Sequence, residues 1–365
     1  MWIWQQTDWP NFNWDTTVIE PILRNTRLNQ GILLGKMLSQ SQDKNESMLD
    51  TLLANIIYSS AIEGVKLNAF SVRSSLANKI GLAEQQPFPT TEQTDGFAEI
   101  MVDAIDNLDT PLTLERVLHW HERLFPLGYA MFNTAAGGQL RGDFPMQVVS
   151  GRIDRPTVHF EAPTRDILDE EVNQFIQWFN DSKFDMSLDP LLRAAITHLW
   201  FVTIHPFDDG NGRITRLLTD LALAQAEQQS IRFYSMSVGI LANRKSYYEI
   251  LEQTQKGDVD ITPWLVWFFN ILNGTFDAVL KDIDQTVFKT NFLRRVDQTE
   301  LAKEQVKVLN RMLDGDFSDG INTAQYHKAA KVSKPTATRH LTTLVKQGCL
   351  VKSGGGRSTR YHLVK

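Results

Sequence analysis

Apolar and polar positions in this chain keep a helical repeat over most of its length and lose it in two places. From about Thr17 to Gln40, Ile22, Leu23, Leu33, Leu34, Met37 and Leu38 recur on one face, which predicts a long helix. The polar break SQSQDKNES separates it from the run MLDTLLANIIY, which leads into SSAIEG at 59–64. Asn68–Leu82 predicts another helix, and GLAEQQPFPTTEQTD reads as a loop. Helical spacing returns from Gly96 through DGFAEIMVDAIDNL and LTLERVLHWHERLF. The pattern then breaks: AAGGQLRGDFPMQVVSGRIDRPTVHFEAP holds two β-rich pieces, Met146–Ser150 and Thr157–Phe160, and predicts a hairpin-like flap. Helices follow at about Arg165–Asn180, Pro190–Thr203, Arg213–Gln228, Asn243–Gln255 and Thr262–Asp284. At the front, Trp2 and Trp4 alternate, which predicts a short aromatic strand, with Trp9 and Trp14 behind it, packed on the helix that follows.

The last part has a different order. Helices at Glu304–Leu313, Thr323–Ala330 and Lys334–Gln347 precede two short strands, CLVKS and RYHLV, joined by the basic tip GGGRST. Helix–turn–helix followed by a hairpin is the pattern of a winged helix. Charge agrees with a separate module. Six lysines, three arginines and no acids lie between Asn322 and Lys365, so the rest of the chain carries −15 within a net charge of −6. In this reading Lys334, Thr336, Thr338 and Arg339 begin the groove-facing helix, and Arg357 and Arg360 on the wing meet DNA phosphates. The alternative is a module that binds protein or packs on the core.

The 365 residues suffice for two or three domains, and 42% hydrophobic with 22% charged residues is ordinary for a soluble protein. A single cysteine, Cys349, excludes an intramolecular disulfide and a cysteine-rich zinc site. No apolar run approaches the ~18 residues of a membrane span, and the first residues lack a signal-type pattern. The expectation is a cytoplasmic protein without a membrane partner.

Candidate chemistry concentrates in HPFDDGNGRITR at 205–216. Gly210 and Gly212 bracket Asn211 ahead of an amphipathic helix. A glycine-rich turn feeding a helix offers backbone N–H groups at a positive dipole end, a cradle for phosphate. Arg213 and Arg216 share a helix face and can reach one polyanion. Asp209 can hold Mg²⁺ against phosphate oxygens, and His205 can take a proton near neutral pH. Singly, a lone histidine is more often structural and a Gly-Asn-Gly is usually a turn; together they suit attack on a nucleoside triphosphate. His119 and His121, spaced by two on a helix, face different sides and suit structural roles. His198 suits the core.

HPFDDGNGRITR matches, at every defined position, the motif His-Pro-Phe-x-Asp/Glu-Gly-Asn-Gly-Arg-x-x-Arg, and the chain resembles Fic-domain proteins over roughly 100–270. The opening also resembles a domain of unknown function found ahead of Fic cores in bacterial proteins. The resemblance implies protein AMPylation: AMP passes from ATP to a serine, threonine or tyrosine hydroxyl of a target protein, or of the chain itself, and pyrophosphate leaves. It implies His205 as base, Asp209 as Mg²⁺ ligand, Gly210, Asn211 and Gly212 as phosphate binders through backbone and amide groups, and Arg213 and Arg216 on the β- and γ-phosphates. It implies that the flap, with Val148, Val149 and Ser150, docks the target as an added strand. Asn243 and Tyr247 are adenine-side candidates, with packing and capping as the alternative.

One class in this family carries an inhibitory helix with Ser/Thr-x-x-x-Glu-Gly/Asn, which Ser59 to Gly64 fits. Ser59 and Glu63 share a helix face. The resemblance implies that Glu63 pairs with Arg216 and keeps ATP from a productive pose. The expected fold is mainly α: a helical N-terminal domain over 1–95 with the inhibitory helix at about 47–64, a Fic core with its flap over 96–285, and a winged helix over 286–365. Two other functions stand beside autoinhibited AMPylation: a DNA-binding regulator with the core as nucleotide sensor, and a de-AMPylase using Glu63. Expected partners are a target protein, DNA through the C-terminal module and a second copy in a homodimer.

Overall fold

A computed structural model describes residues 1–39, 44–84, 86–126, 137–152, 155–228, 233–296 and 301–364. Over the described residues the chain is mainly helical with two antiparallel hairpins, and it forms two compact units, Met1–Asp277 and Ala278–Lys365.

In the first unit the helices are α1 (Thr16–Ser39), α2 (Lys44–Ile62), α3 (Ala69–Lys79), α4 (Glu92–Asp106) and α5 (Leu114–Leu124). The hairpin β1 (Gln147–Arg152) and β2 (Arg155–Glu161) comes next. Then follow α6 (Arg165–Asp181), α7 (Pro190–Ile204), α8 (Asn211–Glu227), α9 (Met236–Ala242), α10 (Arg244–Gln255) and α11 (Thr262–Arg295), whose C-terminal part belongs to the second unit. The centre is the α7–α8 pair. Asp189 accepts a hydrogen bond from the Leu191 N–H, and Pro190 opens α7 where a missing N–H costs nothing. Every residue from Leu191 to Ile204 is buried, so α7 is an internal helix, mostly apolar, with Arg193, Thr197, His198 and Thr203 as its buried polar residues.

The aromatic start is not a strand. Residues Ile3–Gln5 form a 3₁₀ turn, and Trp2, Trp4 and Trp9 make contacts with later elements. Trp2 meets Phe160 edge-on at 5.4 Å, the Trp4 indole N–H donates to the Glu161 carbonyl, and Trp9 donates to Glu171 and packs edge-on to Trp200. Each indole N–H needs an acceptor when its ring is covered, and those acceptors lie on β2 and α6. The flap matches the expected hairpin, with Gln147 opposite Glu161 and a bulge between Val148 and Val149.

In the second unit α12 (Lys303–Leu313), α13 (Thr323–Ala330) and α14 (Lys334–Lys346) precede the pair β3 (Leu350–Ser353) and β4 (Arg360–Leu363). Asn322 caps α13 and Ser333 caps α14. Val308, Ile321, Tyr326, Leu341, Leu344 and Cys349 form the centre of its core. Among the described residues no helix is long and apolar enough to cross a membrane.

Candidate active site

The loop from His205 to Gly210 joins α7 to α8, and its shape follows from two left-handed residues. His205 ends α7 at φ 51° and ψ 58°; Gly210 opens α8 at φ +86°. A Cβ on Gly210 would also lie 2.8 Å from the Phe125 ring, so glycine is required there twice over. Asn211, 2% exposed, clamps the loop: its Oδ1 accepts from the Phe207 N–H at 2.9 Å and its Nδ2 donates to the Phe207 carbonyl at 2.6 Å. The Asn211 side chain thus holds the loop, and its backbone N–H stands at the helix start, where an anion would meet it.

His205 Nδ1 lies 3.0 Å from the Val202 carbonyl. A carbonyl only accepts, so Nδ1 carries the proton and Nε2 is left with its lone pair. Burial pushes the ring below its usual range, and the Arg141 charge adds to this against the Val202 carbonyl, Glu63 and Asp209. The ring is therefore neutral at pH 7.

Glu63 and Ser59 come to this loop from α2. Arg216, 2% exposed, donates from Nε to Ser59 Oγ at 2.8 Å, and from Nη2 to the Ser59 carbonyl at 3.0 Å and to Glu63 Oε1 at 2.8 Å. Burial pushes the Glu63 carboxyl up, but Arg216, then Arg213 and His205, outweigh it and hold it below the usual range. A Cβ on Gly212 would fall 2.1 Å from Glu63 Oε1 and 3.0 Å from Arg216 Nη1, so the carboxylate sits directly on the first turn of α8. The space lined by Ser59, Ile56, Arg213, Arg216 and Asp220 is ≈ 20 Å³, room for about one water molecule and no more. Helix α2 thus fills this side of the site. Its last carbonyl, Ile62, accepts from Arg244 Nε at 2.7 Å, and Gly64 follows at φ +78°.

Asp209 Oδ1 accepts from the Gly210 N–H at 2.6 Å and lies 3.4 Å from Arg213 Nη2, while Arg213 stacks over Phe125 at 4.8 Å. The loop has a support that sequence reasoning left in the background. His121 donates from Nε2 to the Asp209 carbonyl at 2.9 Å, accepts from the Gly138 N–H at Nδ1 and stacks on Phe207 at 3.9 Å. His119, two residues away, is exposed and faces Glu99.

The flap and the adenine-side candidates are placed as follows. Val149 is half exposed, Val148 less so, and exposed Ser150 shares a hydrogen with His159 Nε2 at 2.5 Å, whose Nδ1 is 2.7 Å from Glu252 on α10. Tyr247 is 1% exposed and its hydroxyl is 2.9 Å from His198 Nε2, which suits the packing role weighed against the adenine-side one. Asn243 turns its amide to the Gly239 carbonyl. Burial drives His198 down to about 3, which keeps it neutral between Thr219 and Tyr247. In the second unit Lys334 and Arg339 are exposed. Arg360 is not a free wing cation: its Nη1 donates to Gln325 Oε1 at 2.9 Å and to the Gly320 carbonyl. The side chain of Arg357 lies outside the described residues.

Residues 111–223 match the family profile "Fic/DOC family". The chain carries a Fic domain. Residues 2–82, ahead of the Fic core, match a domain of unknown function, DUF4172. Curated relatives include "Protein adenylyltransferase Fic" of Nematostella vectensis, 28% identical over 69% of this chain and 53% of that one. The protein of the same name from Aedes aegypti is 27% identical over 67% and 47%. The chain thus spans about half the length of the curated relatives it matches. A Fic family protein from Desulfovibrio desulfuricans G20 superposes with a TM-score of 0.54 at 18% identity, over 96% of this chain and 97% of that one. Fic-1 of C. elegans (residues 134–508) gives 0.50 at 20% identity, over 74% of each chain. At these identities the structures speak for the fold.

Proposed function

We propose that this chain is a protein adenylyltransferase held inactive by its own α2. The observation that carries the reading is the Glu63 carboxylate on Arg216 at the first turn of α8. A helix N-terminus and two arginines are where a triphosphate belongs, and here a carboxylate stands in that place. Arg216 Nη1 supports this: it is buried, and among the described residues it has no hydrogen-bond acceptor, a cost that a phosphate oxygen would relieve. The relatives' printed name, protein adenylyltransferase, points to the same donor, ATP.

In the proposed reaction His205 Nε2 accepts the proton of a serine, threonine or tyrosine hydroxyl on the target. That oxygen attacks the α-phosphorus, and pyrophosphate leaves. The neutral, Nδ1-protonated ring is the form this needs. The flap, with Val148, Val149 and Ser150, presents the target's backbone along its edge. Among the described residues no cluster of three potential ligands could cage a metal ion. One half-exposed carboxylate, Asp209, is nevertheless what Mg²⁺ requires when most of its shell comes from phosphates and water. Bound there, Mg²⁺ would neutralise phosphate charge.

ATP labelled at the α- or γ-phosphate, incubated with the Glu63→Gly protein and a lysate, tests the class of reaction. Protein-bound label from the α position alone, lost in His205→Ala, is expected; label from the γ position or none in protein would refute it. The same assay run backwards, on an AMP-modified target, tests de-AMPylation by the wild type. For the second unit, exposed Lys334 and Arg339 early on α14 support a winged helix that binds duplex DNA, which a salt-dependent gel shift tests.

A further inference from the structure

Arg141 lies outside the motif, and nothing in its local sequence, QLRGDFP, marks it. Yet it is 2% exposed, among the most deeply buried charges in the chain. Its Nε donates to the His205 carbonyl at 2.9 Å and its Nη2 donates to the Pro163 carbonyl. Its own N–H donates to the Pro206 carbonyl at 3.0 Å. All of these partners are backbone carbonyls. Burial and the Arg165 charge work against this cation and outweigh the help of the Asp208 carboxylate, so the fork must secure something that an apolar side chain could not.

What it secures is visible at both ends. His205 sits at φ 51°, in the left-handed region that is unfavourable for a residue with a Cβ. Pro163 lies just beyond Glu161, the last residue of β2. A single guanidinium therefore ties the carbonyl of the proposed base to the exit of the flap. Lysine cannot reproduce this, because a point charge has no two-pronged geometry.

We infer that Arg141 is a positioning residue: it holds His205 and the acceptor-docking flap in one register, so that a hydroxyl presented along the flap meets His205 Nε2. The inference rests on the proposed transfer reaction. Misplacement of a reacting group by about 1 Å costs on the order of a hundredfold in rate, so loss of such a tie falls on turnover and spares nucleotide binding.

The charge of Arg141 gives a second readout. The groups acting on the His205 ring are the Val202 carbonyl, Glu63 and Asp209, which raise its pKa, and burial and Arg141, which lower it. Neutralising Arg141 must move the ring titration to higher pH.

The test compares Arg141→Met with Arg141→Lys. Transfer rates are measured in the Glu63→Gly background, ATP affinity by calorimetry, and the His205 titration by NMR in both backgrounds, with the signal assigned by its loss in His205→Ala. Arg141→Met is expected to slow transfer at saturating ATP on the order of tenfold or more and to leave ATP affinity within about twofold. It is also expected to raise the His205 titration midpoint. Arg141→Lys should keep the midpoint near the parent's and recover part of the rate. Two results overturn the inference: ATP affinity falling in step with rate, which marks a general support of the fold, or rate and midpoint both unchanged. If the Glu63→Gly parent transfers nothing, the transfer reading fails by itself. The titration arm then still decides whether Arg141 governs His205.

Discussion

Removing one hydroxyl from α2 tests the latch without touching Glu63. Arg216 Nε donates to Ser59 Oγ at 2.8 Å, with both residues buried. A hydrogen bond to a charged group is worth about 1.5–3 kcal/mol. Ser59→Ala deletes it in the docked state, whereas in the released state water solvates the hydroxyl. The Ser59 carbonyl and Glu63 Oε1 still hold Nη2, so docking is weakened rather than abolished. At about 1.4 kcal/mol per factor of ten, the released population should rise roughly ten- to a hundredfold. The assay is the initial rate of AMP transfer from α-labelled ATP for wild type, Ser59→Ala, Glu63→Gly and the double variant. Ser59→Ala should fall between wild type and Glu63→Gly, and the double variant should equal Glu63→Gly, since a latch already open has nothing left to lose. A wild-type rate for Ser59→Ala, or a double variant well above Glu63→Gly, would refute the argument.

Other consequences follow from the same geometry. His205 is held below its usual range, so the rate of Glu63→Gly should rise with pH through a midpoint under the ordinary histidine value of 6.5 and be flat by neutrality; a midpoint above 6.5 in the pH–rate profile contradicts the burial argument. Thr219 donates its hydroxyl hydrogen bond to the Thr215 carbonyl, so His198 Nδ1 donates to Thr219 and Nε2 accepts from Tyr247. Tyr247→Phe leaves that nitrogen unmet in the core and should cost about 1–3 kcal/mol in urea unfolding, with ATP affinity unchanged; a large loss of affinity would return Tyr247 to the adenine side. In the second unit Arg339→Ala should lower the salt slope of duplex retention by about one, whereas Arg360→Ala should lower the thermal midpoint first. The reverse order would place Arg360 on the DNA.

The helix order and the loop at 205–216 were legible because both are local. Apolar spacing marks α7 and α8, and the Gly-Asn-Gly turn carries its own conformation. Glu63 and Arg216 are 153 positions apart, and the resemblance, not the spacing, joined them. What escaped is tertiary. Trp2 and Trp4 alternate as a strand would, but the Trp4 indole N–H is drawn to the Glu161 carbonyl, the Trp2 ring packs on Phe160, and the backbone curls into a 3₁₀ turn. Helix α9 is only 7 residues, MSVGILA, with no cap and little periodicity to show it. Helix α11 runs on to Arg295 because nothing after Asp284 breaks it. The bonds of the Asn211 side chain to the Phe207 backbone are likewise not legible from residue type. Arg141 offered no signal at all, since only its burial against two distant carbonyls distinguishes it from a surface arginine.

The central claim is that Glu63, seated on Arg216 at the start of α8, keeps the nucleotide from a productive pose. The ratio of initial rates of AMP transfer for Glu63→Gly over wild type, at one saturating concentration of α-labelled ATP, tests it most directly. The account predicts a ratio on the order of a hundred or more, from the loss of a charge-assisted pair buried on one side. Equal rates in the two proteins, with both binding ATP, would contradict it.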